Sequence, residues 1–146
     1  MRKIILCDLD GTLANCQHRI RHIMQQPKDW GAFFAECGDD EPIAHIIELV
    51  NAIDRDKYEI WITSGRSDQC KQQTVEWLKK HGVRYDNLIM RKSGDHTDDG
   101  TLKPSWLSDG TIDKSRVAFA IDDRNRVVKS WRDNGVPCLQ VAEGDF

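Results

Sequence analysis

Long apolar segments are absent from this sequence of 146 residues. No stretch approaches the length that crosses a membrane, and only Arg2 and Lys3 precede a first apolar run that is too short for a signal peptide. A strong excess of one charge is also absent, since the formal net charge is -3. We therefore expect no membrane partner and no general attraction to polyanions, which leaves room for local recognition of an anionic group.

Paired cysteines are missing as well. The cysteines are odd in number, widely spaced and without a Cys-x-x-Cys pair, and they are Cys7, Cys16, Cys37, Cys70 and Cys138. This pattern argues against a disulfide framework or a zinc site and indicates a reducing compartment, so we expect a cytoplasmic protein. The chain lacks internal repeats, and its length suits one domain, which we place at 1–146.

The first apolar run ends in two carboxylates. Residues 4–7 are typical of a short strand, and Asp8 and Asp10 follow it, with Gly11 allowing a turn. Because residues i and i+2 of a strand share a side, the two acids are predicted to leave the strand together. Like charges this close repel unless a cation lies between them or one acid keeps its proton. The pattern fits a Mg2+ ion with a phosphate substrate, and it also fits a plain strand end capped by turn residues.

Two further apolar strands end in polar residues. The strand at 58–62 is followed by Thr63-Ser64-Gly65-Arg66, and the strand at 117–121 is followed by Asp122-Asp123-Arg124. Lys103 precedes Pro104 at a predicted helix start between them. Strands that alternate with helical segments predict an α/β fold, a parallel sheet flanked by helices, in which ligands bind beyond the carboxyl ends of the strands.

The remaining elements follow from apolar spacing. Pro42 fits an early position of a helix, because apolar residues follow it at helical intervals. The other predicted elements are a helix from about 67 to 81, a strand at 87–90, a loop at 93–101, a helix that carries Val127, Val128 and Trp131, and a last strand at 136–141. Pro137 cannot donate to a ladder, so this last strand is predicted at a sheet edge.

A polar insertion at about 15–41 is predicted to form a small cap over the strand ends. It is locally basic, and Trp30 to Ala35 are predicted as one short helix. Its aromatic residues, Phe33 and Phe34 beside Trp30, suit either stacking on a nucleic-acid base or anchoring the helix to the core.

Acids after one strand, a hydroxyl after the next, a lysine and then acids again resemble the haloacid dehalogenase superfamily of phosphohydrolases. The resemblance implies a Rossmann-like fold in which Asp8 attacks phosphorus to form an aspartyl-phosphate, while Asp10 serves as general acid and base. The dehalogenating branch lacks this second acid, so phosphate-ester chemistry is favoured. The resemblance also implies that Ser64 is the hydroxyl, with Thr63 as the second candidate, and that Lys103 steadies the shared charge.

The same resemblance implies a bound Mg2+ ion. Its predicted ligands are Asp8, the backbone carbonyl of Asp10, and Asp122 with Asp123 nearby, an all-oxygen set that suits Mg2+ rather than zinc. Asp122 is our choice between the last two for direct ligation.

A closer resemblance comes from the sequences Asp-Leu-Asp-Gly-Thr-Leu-Ala, Ser-Gly-Arg, Ala-Ile-Asp-Asp-Arg and the terminal Gln-Val-Ala-Glu-Gly-Asp-Phe. They resemble the phosphatase domain of phage polynucleotide kinase-phosphatases, which removes 3′-phosphates from nucleic-acid ends. The resemblance implies that Arg19 and Arg66 bind the substrate phosphate or hold the loops around it. The alternatives are solvated surface charge for Arg19 and a loop-fixing ion pair for Arg66.

Three functions are therefore considered for the chain. The first is a polynucleotide 3′-phosphatase, the second a nucleotidase or small-metabolite phosphatase, and the third a non-catalytic module that binds nucleic-acid ends. The sequence contains no Gly-x-x-x-x-Gly-Lys-Ser/Thr phosphate loop, so we expect no ATP-binding kinase domain in this chain.

Overall fold

A five-stranded parallel sheet forms the centre of the computed structural model, which describes residues 1–146. The strands are β1 (Lys3–Cys7), β2 (Ala14–Asn15), β3 (Glu41–Pro42), β4 (Tyr58–Ser67), β5 (Asn87–Arg91), β6 (Val117–Asp122) and β7 (Cys138–Gln140). The large sheet has the order β5-β4-β1-β6-β7, and β2 pairs with β3 in a separate antiparallel ribbon. The predicted α/β fold and the edge position of the last strand are confirmed.

Helices cover both faces of this sheet. They are α1 (Arg21–Met24), α2 (Trp30–Ala35), α3 (Ala44–Asn51), α4 (Lys71–Lys80), α5 (Asp99–Ser108) and α6 (Asn125–Asp133). None of them combines the length and the apolar character that a membrane crossing requires.

The two cores follow from the alternation of side chains along β1. Ile5 and Cys7 belong to one core, which α3 and α4 complete, whereas Ile4 and Leu6 belong to the other, which α5 and α6 complete. A strand that is apolar on both faces must be covered twice, which is why β1 occupies the centre of the sheet. Trp77 of α4 and Trp131 of α6 are the largest buried side chains of the two cores.

The strand order places a topological switch at β1. The chain passes from β1 to β4 and β5 on one side, and then crosses to β6 and β7 on the other. Helices that leave neighbouring strands in opposite directions open a crevice at the carboxyl ends. This crevice lies where β1, β4 and β6 end.

The insertion is confirmed as a small excursion bracketed by β2 and β3. Ala14 pairs with Pro42 and Asn15 with Glu41, so its two ends are clamped together. Pro42 therefore belongs to a strand, and its predicted place in a helix is wrong. The amide of Ile43 donates to the carbonyl of Leu13, and α3 begins only at Ala44.

Two other boundaries differ from the prediction. The helix expected from 67 begins at Lys71, because β4 continues through Ser67 and a 3-10 turn, Asp68–Cys70, follows it. The loop expected at 93–101 ends earlier, because α5 begins at Asp99. Lys103 and Pro104 consequently lie inside α5 rather than at its start. Pro104 has no amide hydrogen, so α5 lacks the bond that this position would otherwise make to the carbonyl of Gly100.

Candidate active site

Three carboxylates converge at the carboxyl ends of β1 and β6. Asp8 directly follows β1, Asp122 ends β6, and Asp123 comes next. One oxygen from each lies within 4.8 Å of the others, and all three residues are buried. Ends of neighbouring parallel strands meet at one edge, so the structure brings these sequence-predicted ligands together for the reason expected.

Lys103 supplies the positive charge inside this group. Its Nζ donates to Asp8 Oδ1 at 2.7 Å and to Asp122 Oδ2 at 3.0 Å. Burial opposes the charged form, but the carboxylates of Asp122 and Asp8 outweigh it and raise the pKa of Lys103 above its ordinary value. The lysine is therefore an ammonium ion held against Asp8, and the role that the resemblance implies for it stays a prediction.

The cluster has more negative than positive charge. Burial, followed by the nearby Asp122, raises the pKa of Asp8 well above its ordinary value, and burial raises that of Asp123. Thr12 Oγ1 lies 3.1 Å from Asp8 Oδ2 and 3.4 Å from Asp123 Oδ1, but a hydroxyl adds no charge. Three carboxylates against one ammonium leave two negative charges, which a divalent cation with oxygen ligands would balance. The residues therefore fit a Mg2+ ion.

The carboxylate of Asp10 pairs with one arginine from the insertion and one from β4. Its Oδ1 accepts from Arg19 Nη2 at 2.7 Å and from Arg66 Nη2 at 2.7 Å, while Arg66 Nε adds contacts of 3.1 and 3.2 Å. Burial works against ionisation, but Arg66 and then Arg19 hold the pKa of Asp10 below its ordinary value. The side chain stays 25% exposed, so an incoming substrate can reach it.

Both arginines are shielded from solvent. The side chain of Arg19 is 0% exposed, so its alternative as solvated surface charge is wrong. Its guanidinium lies 4.3 Å from the ring centroid of Phe33. Phe33 is buried, which agrees with the alternative that the aromatic residues anchor the short helix. Arg66 donates from Nη1 to Thr74 Oγ1 at 3.0 Å. The structure thus brings Arg19 and Arg66 to Asp10, and the roles predicted for them stay predictions.

Asp40 is the residue that the sequence did not reveal. It accepts from Arg19 and Arg66 and its side chain is 0% exposed. In the sequence it stands inside Asp39-Asp40-Glu41, and a run of three acids at the end of a polar insertion is typical of a solvated surface. Only the buried arginines distinguish Asp40 from its neighbours.

The two hydroxyls at the end of β4 differ in their partners. Ser64 Oγ accepts from the backbone amide of Arg66, two residues later in β4, at 3.1 Å. Thr63 Oγ1 is buried and has no hydrogen-bond partner within the protein. Both side chains lie at the predicted edge of the sheet, and the predicted role of Ser64 stays a prediction.

Further arginines surround the crevice. Arg91, at the end of β5, donates to the carbonyl of Gly65 at 2.9 Å and to Asp99. Arg124 follows the metal-binding candidates and reaches the other oxygen of Asp99 at 3.3 Å. Asp99 thus ties two strand ends to α5, and no pattern within the predicted loop at 93–101 distinguished it.

Gly11 is required by both its backbone and its surroundings. Its φ is +84°, and a Cβ at this position would lie 2.1 Å from Asp123 Oδ2. We expect Gly11→Ala to displace Asp123 and to lower Mg2+ affinity by at least about tenfold, which isothermal titration calorimetry measures. Gly110→Ala is the matched control, because Gly110 has the same φ of +84° with nothing within 4 Å. That control should cost about 1 kcal/mol of stability and leave Mg2+ affinity unchanged. Equal affinity losses in both variants would contradict the proposed contact.

Comparison with known proteins gives one family. Residues 2–146 match the family model described as the polynucleotide kinase PNKP phosphatase domain. A protein of Autographa californica nuclear polyhedrosis virus, described as a bifunctional polynucleotide kinase/RNA ligase, is 30% identical over 139 residues, which are 94% of this chain and 19% of that protein.

Solved structures agree with this match. A chain of a Pnkp1/Rnl/Hen1 complex superimposes with a TM-score of 0.82 and 29% identity, covering 100% of this chain and 48% of that one. A haloacid dehalogenase-like hydrolase from Streptococcus pneumoniae has a TM-score of 0.63 and 16% identity, covering 95% of this chain and 84% of that one, and it shows the fold alone. The chain thus spans less than half the length of the larger relatives that it matches.

Proposed function

Because the chain belongs to the family of the polynucleotide kinase PNKP phosphatase domain, we propose that it is a Mg2+-dependent phosphomonoesterase that removes 3′-phosphates from nucleic-acid ends. The single observation that carries the chemistry is the buried group of Asp8, Asp122 and Asp123 around the ammonium of Lys103. This group offers a nucleophile and a site for a divalent cation within one cluster.

In the first step, an oxygen of Asp8 attacks phosphorus and the bond from phosphorus to the ester oxygen breaks. Asp8 is held for this attack by Lys103 at Oδ1 and by Thr12 at Oδ2. Mg2+, held by Asp8, Asp122 and Asp123 with the carbonyl of Asp10, would neutralise the charge of the phosphoryl oxygens. The alcohol leaves with a proton from Asp10, and an aspartyl-phosphate remains.

In the second step, water attacks the phosphorus of the aspartyl-phosphate. Asp10 takes the proton of that water, the bond from phosphorus to Asp8 breaks, and inorganic phosphate is released. The arginines that keep Asp10 ionised prepare it for this role as a base. Asp10 receives the proton that it gives in the first step from the phosphomonoester, which binds as its monoanion. The second ionisation of a phosphomonoester lies at about pH 6.

The contacts support the roles that we propose for the hydroxyls and the arginines. Ser64 makes no hydrogen bond with its own proton inside the protein, so it is free to donate to a phosphoryl oxygen, and Thr63 packs at the strand end. Arg19 and Arg66 direct their donors to Asp10 and Asp40, which favours the holding of loops over direct binding of phosphate.

A nucleic-acid end as the substrate is supported by the shape and charge of the crevice. The cap consists of two short helices, and Arg91 and Arg124 lie at the strand ends beside the carboxylates. These two arginines share the single carboxylate of Asp99, which leaves a net positive charge at this cationic rim for phosphates beyond the terminal one. One structural neighbour belongs to what is described as an RNA repair complex. Five free cysteines suit a reducing compartment, and we propose that the protein acts in the cytoplasm.

The test compares phosphate release from a 3′-phosphorylated oligonucleotide with release from 3′- and 5′-mononucleotides, each with Mg2+ and with EDTA. We expect Mg2+-dependent release, with kcat/KM for the oligonucleotide at least about tenfold above either mononucleotide, because extra phosphates meet the cationic rim. Faster release from mononucleotides would favour the nucleotidase alternative, with Asp8 and Asp10 unchanged in role. Binding of the oligonucleotide without any release would favour the non-catalytic module.

A further inference from the structure

We propose that Asp40 is a positioning residue for the phosphatase reaction: it fixes Arg19 and Arg66 so that both guanidinium groups hold the carboxylate of Asp10 in place. The inference rests on the proposed function, since it assigns Asp40 a part in the proton transfers of Asp10. Asp40 touches neither the three-carboxylate cluster nor the crevice, so its effect must pass through the arginines.

The first argument is the symmetry of the contacts. The Nη2 atom of each arginine bridges the same two oxygens, Asp10 Oδ1 and Asp40 Oδ2. The distances from Arg19 are 2.7 and 2.8 Å, and those from Arg66 are 2.7 and 2.9 Å. Two cations and two anions therefore form one closed group, in which Asp40 lies opposite to Asp10.

The second argument is the geometry of Arg19. Its Nε donates to Asp40 Oδ1 at 2.8 Å and its Nη2 to Asp40 Oδ2 at 2.8 Å, which is a two-point contact between planar groups. Such a contact fixes the plane of the guanidinium as well as its position. The remaining direction of Nη2 then points to Asp10. A single contact at Asp40 would leave the plane free to rotate.

The third argument is that Asp40 is itself anchored. Its backbone carbonyl accepts from Trp77 Nε1 of α4 at 2.8 Å, and its Oδ1 lies 2.6 Å from His18 Nε2. A fully buried indole cannot move without a loss of packing in the core. The position of Asp40 is thus set by the core of the domain, and the arginines transmit it to a side chain at the crevice.

The ion-paired group of Asp40, Arg19 and Arg66 is shielded from solvent, so bulk water does not compensate for the loss of the Asp40 charge. The side chains of Asp40, Arg19 and Arg66 are each 0% exposed. Buried charges persist only when they are paired, so loss of Asp40 leaves two guanidinium groups that compete for the single carboxylate of Asp10. Without the Asp40 charge, we expect both guanidinium groups to shift. The carboxylate of Asp10 would then move away from the position at which it protonates the leaving oxygen of the substrate.

The test uses the dependence on the leaving group, in Asp40→Asn. A 3′-phosphorylated oligonucleotide has an alkoxide leaving group that needs a proton, whereas p-nitrophenyl phosphate has a leaving group that departs as a stable anion. We expect kcat/KM, which reports on the first step, to fall by about 100-fold for the oligonucleotide and by less than about threefold for p-nitrophenyl phosphate, because only the former needs the acid in that step. Asp40→Glu, which keeps the charge, should recover part of the loss.

Val50→Ala is the matched control for stability. Val50 is a fully buried residue of the core beside β1, and its truncation creates a cavity without touching the charged group. It should lower the melting temperature and affect both substrates equally. An equal loss of kcat/KM on both substrates in Asp40→Asn would show that Asp40 is merely structural and would overturn the proposal.

A second measurement does not depend on activity. Arg66 Nε donates only to Asp10, so the NMR signal of this group and the exchange of its proton report on the pairing of Arg66 with Asp10. We expect Asp40→Asn to shift this signal and to speed the exchange of its proton with water. An unchanged NMR signal in Asp40→Asn would overturn the proposal about Asp40. Absence of phosphate release by the wild-type chain would instead refute the proposed function, so the two failures are distinguishable.

Discussion

Asp8→Asn is expected to lower phosphate release by at least about four orders of magnitude, because an amide oxygen cannot form the acyl-phosphate bond that a carboxylate forms. The side chain keeps its size, and it loses one of three buried negative charges that repel each other. The folded state should therefore be retained, and its melting temperature in EDTA should stay equal or rise. Steady-state release and a thermal melt of the same sample measure the two effects.

Asp133→Asn is the control for this substitution. Asp133 is an exposed acid at the end of α6 that pairs only with Lys129, so its loss should leave release unchanged. If Asp8→Asn turned over substrate like the wild type, Asp8 would not be the nucleophile. Trapping of a phosphorylated wild-type chain, absent in Asp8→Asn, would identify the attacking residue directly.

Lys103→Met is expected to have the largest effect on stability. It removes the ammonium that touches Asp8 and Asp122 and leaves their charges buried without compensation. Breaking one partner of a buried ion pair costs about 3–5 kcal/mol, and urea unfolding in EDTA at neutral pH measures it. Because Mg2+ brings replacement charge to the same carboxylates, the ion should restore much of the loss without restoring full activity.

The sign of the pH dependence follows from the cluster. Lys103 lowers the pKa of Asp8, which burial and Asp122 already hold above its ordinary value. Without the lysine, this folded-state pKa rises further above that of the unfolded chain. At a pH below the pKa that Asp8 has in the unfolded chain, Asp8 is neutral in both states and its burial carries no charge penalty. As the pH rises through the pKa of Asp8 in the folded variant, this stability is lost. The loss of unfolding free energy in Lys103→Met, relative to the wild type, should thus be smallest in acid and grow toward neutral pH.

Lys129→Met is the control for the lysine. Lys129 pairs with Asp133 on an exposed face of α6, and exposed pairs contribute little to folding. Its loss should leave stability unchanged within error at every pH. A deficit in Lys103→Met that did not narrow in acid, or that Mg2+ failed to reduce, would contradict the charge balance that we assign to the cluster.

The strands and the carboxylate cluster could be predicted from sequence because each depends on residues that are close together in the chain. Ile4 to Cys7 are apolar on both faces, which requires a central strand, and Asp8 must then emerge at its end. The same reasoning applies to Asp122 and Asp123 after β6. Parallel neighbours bring these ends together, so the predicted oxygen-rich site needs no knowledge of the rest of the fold.

Helix starts were less predictable, since they depend on contacts between distant segments. Pro42 is drawn into β3 by its pairing with Ala14, and α5 begins at Asp99, whose side chain is held by Arg91 and Arg124. Neither partner is visible in the local spacing of apolar residues. Helical periodicity marks the middle of an element well and its ends poorly.

The sequence by itself determined the α/β sheet, the group of Asp8, Asp122 and Asp123, and the presence of a lysine beside them. Only the tertiary structure decided the surroundings of Asp10. Its position two residues after Asp8 predicted a shared side, yet its carboxylate pairs with Arg19 from the insertion and Arg66 near the end of β4. Asp40 completes that group across a wide gap in sequence. Electrostatic pairs of buried side chains act through space without a period along the chain, so they appear only once the chain is folded.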